Sequence, residues 1–109
     1  MSNLNEMNPA QLAERLKGEQ KPFLLDVRNP YEVEIASIPG TDLVIPLDQL
    51  SERIAELDKQ AEMVVYCRSG ARSGQAVAFL RHHGFSHVTN LNGGVLRWAD
   101  DVEPSMTKY

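Results

Sequence analysis

Four apolar residues in a row, Met63-Val64-Val65-Tyr66, run without alternation into Cys67 and then into the small, basic stretch Arg68-Ser69-Gly70-Ala71-Arg72-Ser73-Gly74. A strand with one face in water alternates apolar and polar side chains. A strand that is apolar at every position has both faces covered, which is the signature of a parallel sheet clothed by helices. This one feature sets the frame in which the rest of the chain is read.

The flanking segments agree with it. "PFLLDVR" reads as another buried strand, "DLVIPL" as a short one that Pro46 ends or confines to an edge, and "HVTNL" as a fourth. Helical signals fall between them. Asn8 can cap a helix with Pro9 at its first position, Leu12 and Leu16 recur four apart, and Gly18 stops it. "NPYEVEIASIPG" reads as a turn and short helix closed by Pro39-Gly40. "DQLSERIAELD" predicts a helix with Leu50, Ile54 and Leu57 on one face. A further helix is expected from near Ser73, with Ala76, Phe79 and Leu80 inward and Gly84 as its stop, then a turn at "NGG" and a last short helix "VLRWADDV". Strands alternating with helices predict an α/β sandwich around a mainly parallel sheet. Ligands of such sheets sit outside the carboxyl ends of the strands, where Cys67 falls.

At 109 residues the chain suffices for one core and not two, so residues 1–109 are read as a single domain. No apolar run is long enough for a transmembrane helix, and the N-terminus lacks a basic segment followed by an apolar one, so neither membrane nor secretion is expected. A lone cysteine cannot form an internal disulfide, which fits a reducing, cytoplasmic setting. The net charge of −4 is unevenly spread: residues 63–97 hold Arg68, Arg72, Arg81, Arg97 and all three histidines, with no acid. This suggests a local site for a small anion rather than a nucleic-acid surface, which needs a broader positive field. Solvated arginines on helix faces would give the same count, and charge alone does not choose.

The loop after Cys67 does choose. Ser69, Gly70 and Ala71 are small enough for the backbone to curl its N–H groups inward, and the next helix aims its positive end at the same point. With Arg68 and Arg72, each feature favours thiolate over thiol, so the pKa of Cys67 is expected below its ordinary value. A cysteine that merely fills the end of a strand needs none of this.

"CRSGARS" after "VVY", with the upstream "LLDVRNPYEV", the "IPG" turn and the closing "LNGGVLRW", resembles the rhodanese family of sulfurtransferases from Phe23 to Trp98. The resemblance implies a five-stranded parallel sheet flanked by helices in a three-layer rhodanese-like sandwich. The spacing C-x4-R resembles the sulfurtransferase form rather than the C-x5-R loop of related phosphatases, and no leaving-group acid lies between Met63 and Arg97. Implied too is a double displacement through a Cys67 persulfide. Thiosulfate or a protein persulfide would be the donor, and cyanide, a thiol or a sulfur carrier the acceptor. The amides of Arg68 to Ser73 would stabilise the persulfide, while Arg68 and Arg72 would position an anionic donor. No second cysteine can resolve the persulfide, so the acceptor comes from outside.

Asp26 and Arg28 match the family's "DVR"; Asp26 is expected to orient the loop and Arg28 to form a structural ion pair with Glu32. His82, His83 and His87 lack metal-ligand company, so no metal and no cofactor are expected; Trp98 is read as core and Gly93-Gly94 as a turn. Many relatives have histidine where this chain has Ser37. The tail resembles the rhodanese domain at the C-terminus of adenylyltransferases that activate ubiquitin-like sulfur carriers. That implies a sulfur-carrier protein as a partner, docked on the acid-free face around Cys67; a cysteine desulfurase or thioredoxin is a further expected partner. The alternative is a non-catalytic rhodanese-like module that binds a partner or senses redox state.

Overall fold

The computed structural model describes residues 6–109; residues 1–5, part of the segment read for a leader, lie outside it. Five strands, β1 (Glu6–Met7), β2 (Phe23–Asp26), β3 (Leu43–Val44), β4 (Met63–Tyr66) and β5 (Val88–Leu91), form one sheet in the order β1-β5-β4-β2-β3. Every pairing is parallel, with Leu25 beside Val65 and Val65 beside Asn90. Five α-helices connect them: α1 (Pro9–Lys17), α2 (Pro30–Ile35), α3 (Leu50–Arg53), α4 (Ala71–His82) and α5 (Gly94–Asp101).

The uninterrupted apolar run has the expected cause. Along β4, Met63, Val65 and Cys67 enter one cluster with Leu50, Ala76, Val77 and Leu80, on the side of α3 and α4. Val64 and Tyr66 enter the other, with Leu12, Val95 and Trp98, on the side of α1 and α5. All four β4 residues are buried, so two cores share one central strand. Trp98 is a core residue, as read, with its indole N–H donating to Glu103 at 3.1 Å.

Several boundaries behave as the local chemistry dictates. Asn8 caps α1 reciprocally with Gln11, Pro9 opens it, and β3, ending before Pro46, is an edge strand. Gly84 takes φ +94° just beyond α4. Others differ. The expected single helix "DQLSERIAELD" is broken into a 3-10 turn (Leu47–Gln49), α3, and a second 3-10 turn (Ile54–Glu56). A 3-10 turn eclipses residues three apart. That tightening lines up Leu47 with Leu50 and Ile54 with Leu57 against the same cluster. The helix α4 begins at Ala71 rather than Ser73, and Phe79 is only half-buried while Val77 takes its inward place. The fifth strand, β1, has two residues and no pattern to announce it; its register partner is Asn90.

The strand order places the site. From β2 the chain moves outward to β3, whereas from β4 it moves the opposite way to β5. The crevice where the direction reverses lies between the carboxyl ends of β2 and β4, and there the chain carries Asp26-Val27-Arg28 and Cys67-Arg68.

Candidate active site

Cys67 closes β4 with its side chain on the floor of the loop, 1% exposed. Its sulfur is met by the Gly70 N–H at 3.1 Å and by the Ser73 hydroxyl at 3.3 Å. Gly70 holds φ +108° to turn its amide inward, a conformation that a side chain would strain. Burial pushes the thiol's pKa up. The Ser73 hydroxyl and the amides of Ser73, Gly70 and Ser69 outweigh it, and the pKa ends below its ordinary value. Fixed dipoles thus do what the sequence reading assigned to the loop.

The charged groups are arranged differently from that reading. Arg28 pairs with Asp26, not with the Glu32 carboxylate. Its Nε and Nη2 fork onto the two carboxylate oxygens at 3.0 and 2.7 Å, both side chains being fully buried. Only its Nη1 reaches Glu32, at the main-chain oxygen, 3.3 Å away. The Glu32 carboxylate instead takes a bidentate grip from Arg72 at 2.7 and 2.8 Å. Asp26 therefore acts on the loop at a remove. It fixes Arg28, Arg28 donates to the Tyr109 hydroxyl at 2.9 Å, and that hydroxyl donates to Glu32 at 2.8 Å. The Arg72 guanidinium holds the Glu32 carboxyl down to about 2. The Asn29 N–H and the Tyr109 hydroxyl help, against the opposing effect of burial.

The face around Cys67 is consequently not acid-free. The fold imports Glu32 from α2, which a count along residues 63–97 could not register. Arg68 is exposed and has no Asp or Glu partner among the described residues; its Nε donates to the main-chain oxygen of Tyr109 at 2.7 Å, and Nη2 donates to the same atom. Arg81 and Arg97 serve elsewhere, on the Val88 carbonyl and on Asp101. His82, His83 and His87 are exposed and away from the loop. Ser37 donates to the Val33 carbonyl at 2.9 Å, closing α2.

Three further residues hold the loop. Asn90 donates to the Gly70 carbonyl at 3.2 Å and accepts from Ser73 at 2.5 Å. Gly94, at φ +61°, lets α5 press onto the loop: a Cβ there would sit 2.5 Å from the carbonyl oxygens of both Cys67 and Arg68. The first amides of α5 then bond those carbonyls, Val95 to Cys67 at 2.9 Å and Leu96 to Arg68 at 3.1 Å. "NGG" is therefore a docking surface as well as a turn. Tyr109 is the third, and only its distance in sequence hid it. For Glu32 the sequence carried a signal of another kind, a carboxylate at the third position of a proline-started helix, where it accepts from the Asn29 N–H.

Comparison with known proteins agrees with this architecture. Residues 8–101 match the rhodanese-like domain family. The chain is 40% identical over 96 residues to a sulfurtransferase of Allochromatium vinosum, covering 88% of this chain and 89% of that one. It is 36% identical to the probable adenylyltransferase/sulfurtransferase MoeZ of Mycobacterium tuberculosis, over 94% of this chain but only 26% of that longer protein. A rhodanese-related protein of Thermoplasma volcanium superposes with a TM-score of 0.82 at 32% identity, covering 92% of this chain and 95% of that one.

Proposed function

The chain belongs to the rhodanese-like domain family, and from that premise we propose that it is a sulfurtransferase whose nucleophile is Cys67. The observation that carries the reading is the sulfur's setting: a buried thiol facing inward-turned amides and a hydroxyl, with its pKa brought down against the effect of burial. A thiolate held by dipoles is a soft nucleophile, and the same dipoles stabilise the anion that replaces it.

The proposed reaction is a double displacement. The Cys67 thiolate attacks the outer sulfur of the donor; the S–S bond of the donor breaks, and its electron pair leaves with the departing group, sulfite in the case of thiosulfate. Cys67 now carries a persulfide anion. An external nucleophile, cyanide or a thiol, attacks the terminal sulfur, and the electron pair of the Cys67 S–S bond returns to the thiolate. Arg72 is committed to Glu32; Arg68 is the loop cation without a carboxylate side chain, and an anionic donor that engages it displaces its hydrogen bonds to the Tyr109 main-chain oxygen. The similarity to part of MoeZ supports a sulfur-carrier protein as acceptor.

Intact mass after incubation with thiosulfate tests this. The expected result is a gain of one sulfur atom, lost on adding cyanide and absent in Cys67→Ala. If neither thiosulfate nor a persulfidated cysteine desulfurase loads the parent, the alternative of a partner-binding module, which the burial of the thiol favours, takes its place.

A further inference from the structure

The Ser73 hydroxyl lies between two acceptors and has one proton to give. It is 2.5 Å from Asn90 Oδ1 and 3.3 Å from the Cys67 sulfur. The orientation of the Asn90 amide is fixed by its other contacts. Its nitrogen faces the Gly70 carbonyl and a Glu6 carboxylate oxygen, each at 3.2 Å, and neither can donate. The amide nitrogen must therefore point at those two, leaving Oδ1 toward Ser73, and an amide oxygen only accepts. It follows that Ser73 donates to Asn90 whenever it bonds Asn90 at all. While Cys67 is a thiol the relay runs one way: S–H to Ser73 Oγ, and Ser73 O–H to Asn90 Oδ1. Once the sulfur is an anion, it has no proton to give and attracts that of Ser73 more strongly than a neutral amide does.

We propose that Asn90 is a positioning residue of the sulfur site, holding the Ser73 proton away from Cys67 in the thiol state and yielding it when the sulfur becomes a thiolate or persulfide. Asn90 thereby opposes ionisation. It is 6% exposed, so water does not substitute for its contact with Ser73. The charged and titratable groups around the sulfur are substituted in none of the variants below: Arg68 and Arg72 from the loop and α4, Glu32 from α2, the Asp26–Arg28 pair beyond β2, Tyr109 from the tail, and Glu6 from β1, which loses its bond to Asn90 in Asn90→Leu.

The inference rests on Cys67 being the reactive thiol, but its test does not use sulfur transfer, so the two readings fail separately. Iodoacetamide alkylation is followed against pH, each variant's rate being normalised to its own high-pH plateau. Asn90→Leu removes the competing acceptor, so the midpoint moves to lower pH. The normalised rate well below the midpoint rises about three- to tenfold, the range that one neutral hydrogen bond supplies. Ser73→Ala removes the proton itself and moves the midpoint up. In the Ser73→Ala background, Asn90→Leu then changes nothing. An unmoved or raised midpoint in Asn90→Leu, an unmoved one in Ser73→Ala, or a shift of equal size in the double variant would overturn the proposal. Should Asn90→Leu fail to fold, the infrared S–H stretch of the parent decides. A hydrogen-bonded band that moves to the free position in Ser73→Ala supports the relay, and a band already at the free position refutes it.

Discussion

The two ends of the sheet differ in how they use space. At the amino ends of β2 and β4, a groove of about 750 Å³ is lined largely by apolar side chains, among them Leu16, Pro22, Phe23, Pro39, Trp98 and Val102. Its rim includes Glu62, which pairs with Arg15 at the surface. At the carboxyl ends, polar groups are bonded to one another around Cys67: two arginine–carboxylate pairs, a tyrosine that bridges them and a loop pinned from β5 and α5. That groove lies away from Cys67, whose sulfur sits where donors have been brought together and fixed. Preorganised dipoles need close packing rather than open volume.

That contrast can be broken most severely at the buried pair. Arg28→Leu leaves Asp26 charged and without a partner in the interior, and the expected cost is about 3–5 kcal/mol, read as a fall in the urea midpoint. Replacing Asp26 and Arg28 together by leucine should recover most of it; no recovery would mean that the pair matters for packing rather than for charge. Gly94→Ala tests the pressure of α5 on the loop. Overpacking against two carbonyl oxygens is expected to cost about 1–3 kcal/mol and to lower Cys67 reactivity in the folded protein, whereas unchanged reactivity would detach α5 from the site.

A smaller effect is expected from acid. The folded pKa of Glu32 lies near 2, below the unfolded value, so its contribution to stability is fully present above about pH 4.5 and disappears as the pH falls toward 2. Thermal midpoints measured across that window should fall more steeply in the parent than in Glu32→Gln; parallel curves would discount the Arg72 grip. The smallest effect is at the other end of the sheet. Arg15→Ala breaks a pair whose side chains are 38% and 45% exposed, and the expected loss is below about 1 kcal/mol, with alkylation of Cys67 unchanged. A larger effect there would show that the two ends are coupled.

Much of this molecule is legible in its residue order. The four-residue apolar run of β4 demanded two covered faces, Asn8-Pro9 announced α1, Pro46 kept β3 at an edge, and the small residues after Cys67 signalled a curled loop. The short strand β1 is not legible because two residues carry no periodicity, and the segment after Pro46 has the apolar spacing of one helix although side-chain packing tightens its ends into 3-10 turns.

The site divides along the same line. Cys67, Gly70 and Ser73 lie three residues apart in one short segment, so the sulfur's cradle is written in the residue order: local chain geometry aims amides that are only a few residues apart. Which charges face it depends on the assembled sheet. Arg28 and Glu32 are four residues apart, yet Arg28 turned to Asp26, and Glu32 found Arg72 forty positions away, with Tyr109 closing the bridge from the far end of the chain. Ion-pair choice depends on where burial leaves each charge after the sheet is assembled, and separation along the chain does not encode that.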